Sequence, residues 1–105
     1  MIEYRKKQGS LTCVVKTNLI ASNIPDIRED LLARIDQDDK WKELVLDLSD
    51  TDVIDSIGVN LVVNLYKKID SANKSFKTIG CNKSIMEVLK LFRLDQHFKI
   101  QMIGT

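Results

Sequence analysis

Leu44-Val45-Leu46-Asp47-Leu48, then Asp55-Ser56-Ile57-Gly58, then Val59-Asn60-Leu61-Val62-Val63-Asn64-Leu65-Tyr66-Lys67-Lys68-Ile69 make up the segment whose reading decides the fold. The first run is nearly continuous in apolar residues, the pattern of a central strand covered on both faces. The last puts Leu61, Val62, Leu65 and Ile69 on one helical face. Between them a helix opens just beyond the end of a strand. Backbone N–H groups point outward there and the helix dipole is positive, so a phosphate on Ser56 would be stabilised. The plainer role of the same residues is structural, with Asp55 or Ser56 capping the helix.

Working outward, Leu11-Thr12-Cys13-Val14-Val15-Lys16-Thr17 is rich in β-branched residues and predicts a strand, with Ile2 to Lys6 pairing to it through the Gln8-Gly9-Ser10 turn. Ser22-Asn23-Ile24-Pro25-Asp26 has the features of a helix start: a capping Ser or Asn, a proline in the first turn and an early acid. Ile24, Ile27, Leu31 and Ile35 then mark its buried stripe, and Asp36-Gln37-Asp38-Asp39-Lys40 reads as a solvated loop. Beyond the Ser71-Ala72-Asn73-Lys74 break, Phe76 to Ile79 predicts a short strand ending in Gly80. Ile85, Val88, Leu89 and Phe92 mark a third amphipathic helix with Asn82 or Ser84 near its start, and His97 to Met102 alternates as an edge strand. The order is β-β-α-β-α-β-α-β. Such alternation demands right-handed crossovers onto a mostly parallel sheet. The expectation is α/β, one domain over residues 1–105, with about five strands and three main helices.

A chain of 105 residues is long enough for one core. It is 44% hydrophobic and 30% charged with a net charge of +1, so the basic excess of a nucleic-acid binder is missing. No apolar stretch approaches the roughly 20 residues that span a bilayer. Met1 to Lys7 has no apolar signal core. The expected location is cytoplasmic, with no membrane partner. Cys13 falls in a strand and Cys81 at a turn, with no C-x-x-C pair and no cysteine–histidine grouping, so zinc and thioredoxin-like chemistry fail on ligand count.

Catalytic chemistry has few candidates. His97 has no nearby nucleophile and reads as structural, and Trp41 as a cover for one end of the core. Arg5-Lys6-Lys7 and Lys67-Lys68 read as solvated faces. Asp47, Asp50, Asp52 and Asp55 gather at a strand's carboxyl end, where open α/β sheets place ligands. Asp50-Thr51-Asp52-Val53 resembles the D-x-D-x-[TV] signature of haloacid-dehalogenase phosphatases, but the chain is too short for that core and its later catalytic elements. A phospho-aspartate receiver is closer in size, yet the acidic pair due near Lys16-Thr17-Asn18 is missing. No G-x-x-x-x-G-K-[ST] or G-x-G-x-x-G loop occurs. The residues point to no catalytic group, metal site or cofactor.

Three segments together resemble the STAS family, the domain of anti-sigma factor antagonists. Leu46-Asp47-Leu48-Ser49 followed by Val53-Ile54-Asp55-Ser56-Ile57-Gly58-Val59 is similar to that family's strand, loop and D-S-[ST]-G-[hydrophobic] helix start. Leu19-Ile20-Ala21-Ser22-Asn23 resembles its L-D-A-x-N approach to the first helix, and Ile85 to Leu94 its third helix. The resemblance implies a switch. Carried over by that resemblance, Ser56 is the serine expected to be phosphorylated by an anti-sigma factor, a serine kinase of the histidine-kinase-like ATPase fold. Unphosphorylated antagonist binds that kinase and frees the sigma factor; phosphorylation blocks binding, and a PP2C-type phosphatase reverses it.

The implied partner surface is Asp50, Asp52, Asp55, Ser56, Ile57 and Gly58, with Ser22 and Asn23. Two departures stand out. Ile57 replaces the common second Ser/Thr and removes a second phosphorylation site. Ile20 replaces a frequent Asp and its polar contact. Two other functions compete: a STAS scaffold subunit of a sensory or transport assembly, and a small magnesium-dependent phosphatase using Asp50 and Asp52. Whether the domain forms a homodimer is left open.

Overall fold

A computed structural model describes residues 1–104. The elements are β1 (Ile2–Lys7), β2 (Ser10–Val15), α1 (Ile24–Gln37), β3 (Glu43–Asp47), α2 (Ser56–Ser71), β4 (Ser75–Cys81), α3 (Lys83–Leu91), a short 3-10 turn (Leu94–Gln96) and β5 (Lys99–Met102). One five-stranded sheet runs in the order β1-β2-β3-β4-β5. β1 pairs antiparallel with β2, and every later pair is parallel. This is the expected α/β architecture with the expected element order.

The spatial order equals the chain order, so each crossover steps the same way across the sheet. Right-handed crossovers that never reverse direction lay all their helices on one face. Accordingly Ile27 and Leu31 of α1, Leu61, Val62, Leu65 and Ile69 of α2, and Ile85 and Leu89 of α3 share one core with Leu11, Cys13, Val15, Leu44, Leu46 and Phe76. Side chains alternate along a strand, so Thr12, Val14, Val45, Lys77 and Ile79 look the other way.

That bare face corrects one expectation. The apolar run of β3 has helices on one side only. Val45 is buried within the sheet's open face, at the floor of a shallow groove of about 350 Å³ walled by Lys7, Thr12, Glu43 and Lys77. A continuous apolar run arises here because β3 is the middle strand and its neighbours shade even its uncovered side.

Smaller departures have local causes. α1 continues to Gln37, into the stretch expected as a loop. Cys81 is not at a turn but the buried last residue of β4: a register shift after Thr78, with Gly80 at φ +71°, turns it back into the core. Burial pushes the thiols of Cys13 and Cys81 up to about 12, which keeps both protonated and inert. α3 ends at Leu91 because Arg93 adopts a left-handed conformation, which leaves Phe92 exposed and buries Leu94 in its place. The final strand starts at Lys99, after His97 has closed the 3-10 turn. Trp41 covers the amino end of β3 as expected: its indole N–H donates to the Asp38 carbonyl at 2.7 Å, and the Lys74 ammonium sits 3.9 Å from the ring centre.

Candidate functional site

The chain between β3 and α2 carries the site, and almost every polar group in it is fixed from outside. Asp47, the last residue of β3, accepts from the Ser49 N–H at 2.9 Å and the Ser49 hydroxyl at 2.7 Å. This turn presses so closely on Gly80 that a Cβ there would lie 2.8 Å from both the Asp47 carboxylate and the Ser49 nitrogen. Thr51 is buried, and its hydroxyl donates to the Thr17 carbonyl at 2.9 Å. The Asn18 side-chain oxygen accepts from the N–H groups of Asp52 and Val53 at 2.9 and 3.1 Å. Asn82 donates to the Asp52 carbonyl at 3.0 Å while its own oxygen caps α3 through the Ile85 N–H at 2.8 Å.

A one-residue parallel bridge, Leu19 with Ile54, then threads the loop to the segment after β2. The Leu19 N–H donates to the Val53 carbonyl at 3.0 Å, and the Asp55 N–H donates to the Leu19 carbonyl at 3.1 Å. Asp55 completes the arrangement. One carboxylate oxygen accepts from the Gly58 N–H at 2.9 Å and the other from the Ala21 N–H at 2.8 Å, so a single side chain caps α2 and ties it to the turn ahead of α1. Gly58 is needed for closeness rather than for an unusual φ: a Cβ on it would stand 2.1 Å from the Leu19 carbonyl oxygen.

Against this pinned background Ser56 is the first residue of α2, exposed, with no partner for its hydroxyl among the described residues. Val53 and Ile57 flank it as exposed apolar side chains, 51% and 44% accessible. Asp50 and Asp52 are exposed in the same loop. Asp50 is held by the Lys16 ammonium at 2.9 Å, which also reaches Glu3 at 3.1 Å. Of the two α1-approach residues, Ser22 is exposed beside Ala21. Asn23 turns its amide inward to the Thr17 hydroxyl and the Asn18 carbonyl rather than capping α1.

The four aspartates do not converge. Asp47, Asp50 and Asp55 face three different partners, while among the described residues the Asp52 carboxylate has none and no three His, Cys, Asp or Glu gather as a metal site. Nor is any helix there long and apolar enough to cross a membrane. Lys16, Thr17, Asn18, Thr51 and Asn82 were missing from the sequence-level site because their work is done across gaps of 30 or more residues. Only Asn82 left a local signal, as a helix start.

The hydrogen bonds from Gly58 and Ala21 hold the Asp55 carboxyl below its ordinary value. The folded state therefore takes up its proton at a lower pH than the unfolded chain does. Asp55 contributes stability that is complete above the unfolded carboxyl range near pH 4 and is lost as pH falls through the folded value. We expect Asp55→Asn to flatten the fall in urea midpoint between pH 6 and pH 3. An unchanged slope would show that the two backbone bonds carry no pH-linked stability.

The STAS domain family model matches residues 1–102. A Thermotoga maritima protein named as a candidate anti-sigma factor antagonist is 35% identical over 60 residues, which is 57% of this chain and 53% of that protein; the match thus spans about half the length of this curated relative. The crystal structure of an anti-sigma factor antagonist from Mycobacterium paratuberculosis superposes with a TM-score of 0.85 at 18% identity, over 96% of this chain and 84% of that one. The antagonist SpoIIAA in its unphosphorylated form gives 0.71 at 14% identity, over 100% and 90%. At those identities the two structures speak for the fold alone. With the family model covering nearly the whole sequence, and with a strand, a pinned loop and an Asp-Ser-Ile-Gly helix start in the places described, the chain belongs to the STAS domain family.

Proposed function

We propose that this domain is an anti-sigma factor antagonist switched by phosphorylation of Ser56, acting in the cytoplasm as a non-enzymatic binding module. The observation that carries the reading is the contrast within one loop. Neighbouring backbone and side-chain groups are tied down from the β2–α1 connection and from the start of α3, while the Ser56 hydroxyl is exposed, without a partner among the described residues, between two exposed apolar side chains.

A kinase needs an accessible hydroxyl, and a partner surface needs apolar area that does not have to be ordered on binding. Val53, Ile57 and the rim of Asp50, Asp52 and Asp55 supply that surface, with Gly58 holding the turn behind them and Ser22 and Asn23 at its edge. A phosphate would add about −1.5 to −2 charges at neutral pH. The N-terminus of α2 offsets part of that charge, so the domain tolerates it, whereas an incoming partner meets new charge beside Asp52 and Asp55. The partners in this reading are a serine-kinase anti-sigma factor of the histidine-kinase-like ATPase fold and a PP2C-type phosphatase. The test is phosphosite mass spectrometry on protein recovered from its own cells. Phosphate on Ser56 is the expected result; phosphate on an aspartate would overturn the proposal.

A further inference from the structure

α1 and α2 both return between parallel strands, so they run parallel to each other and leave a groove between them. Its floor is apolar, made by the buried Leu31, Leu61 and Leu65, with the exposed Leu32 and Asn64 at its sides. The charged residues lining it are Arg28 and Lys68, both positive. Arg28 lies near the start of α1 and Lys68 near the end of α2, so the cations flank the floor toward its two ends. Lys68 reaches Asp36 at 3.7 Å, but both side chains are exposed and such a pair is weak. Arg28 has no ion pair among the described residues.

The groove holds about 80 Å³. That is well above the roughly 10–15 Å³ one water needs and below the roughly 150 Å³ of a cavity that takes benzene. One branched aliphatic side chain fits that range. The groove also joins the Ser56 surface: Ile57, Leu61 and Leu65 are spaced by four residues and so stack along one stripe of α2, with exposed Ile57 at the Ser56 end.

We infer that this groove is a second contact for the protein that docks around Ser56, and that it takes a leucine or isoleucine of an acidic segment, whose flanking carboxylates meet Arg28 and Lys68. The inference rests on the reading of Ser56 as part of a docking surface, but it can be tested without Ser56. The probe is the acetylated, amidated hexapeptide Glu-Glu-Leu-Leu-Glu-Glu, titrated into the full chain and followed by ¹⁵N–¹H NMR shifts. Shifts should centre on Leu32, Leu61 and Leu65, and Arg28→Glu and Lys68→Glu should each weaken binding at least tenfold while keeping native spectra.

Ser56→Asp should leave the peptide affinity within twofold, so failure of the phospho-switch leaves this result standing, and the reverse also holds. Three results would overturn the inference: no shifts at millimolar peptide, equal binding of a peptide with Lys in place of every Glu, or groove shifts that depend on protein concentration alone. The last would mean that a second copy of the chain covers the groove.

Discussion

Gly58→Ala is expected to cost this domain about 3 kcal/mol or more, at the upper end of what overpacking a well-filled site costs. The added methyl would meet the Leu19 carbonyl oxygen at 2.1 Å, with the Leu19 Cβ and Ile54 Cγ1 at 2.9 and 2.8 Å. All three contacts are with the two residues of the parallel bridge, and the Leu19 backbone cannot swing aside as a surface side chain could. Relief requires either parting Leu19 from Ile54 or lifting the first turn of α2. The first move breaks the bond Asp55 accepts from Ala21, and the second breaks the cap it accepts from Gly58. The loss corresponds to a melting temperature roughly 12–24 °C lower for a domain of this size. Trp41, the single tryptophan, lies away from the substitution and reports unfolding by its emission. Gly9→Ala serves as a comparison: nothing stands within 4 Å of its added Cβ, and only the φ of +87° opposes the change, worth about 1–2 kcal/mol. If Gly58→Ala costs no more than Gly9→Ala, the close approach is not what requires glycine at 58.

The second large effect is expected at Ser56, in binding rather than stability. Ser56→Ala removes an exposed hydroxyl, without a partner among the described residues, from the first position of a helix, where alanine is a good helix former. It should stay folded, escape phosphorylation and still bind the cognate anti-sigma kinase. Ser56→Asp places a fixed negative charge in the same spot, and the helix N-terminus accepts it without loss of fold. At the interface the same charge must be desolvated next to Asp52 and Asp55. A penalty of ~3 kcal/mol weakens affinity more than a hundredfold. Isothermal titration of the kinase against both variants decides the matter, and equal affinities would sink the switch.

Much of this was legible in the sequence. The element order followed from apolar periodicity, because Ile27 and Leu31 in α1 and Leu61, Leu65 and Ile69 in α2 repeat at helical spacing and all reach the core. The Asp-Ser-Ile-Gly helix start was legible because capping and tight approach use residues close together in the chain. What local pattern could not show was which face of the sheet the helices cover, since Val45 is as apolar as Leu44 and Leu46 while pointing the opposite way. Nor could it show that Asn18 holds the backbone of Asp52 and Val53, because an asparagine after a strand looks like any turn residue until the partner segment is in place. Phe92 reads as core by periodicity; the left-handed Arg93 one step later ends the helix and leaves it outside.

The unbroken order of strands across the sheet also bears on how the molecule comes into being. No strand waits for a distant one: β1 finds β2 across a two-residue turn, and each later strand docks on the one made just before it. Short loops are cheap to close and lower contact order speeds folding, so the sheet can grow from one edge to the other as the chain leaves the ribosome. The Leu19–Ile54 bridge and the Asn18 clamp can close once α2 has formed, but the tie from Asn82 to Asp52 must await β4. The loop that carries Ser56 thus reaches its final shape only once four of the five strands are in place.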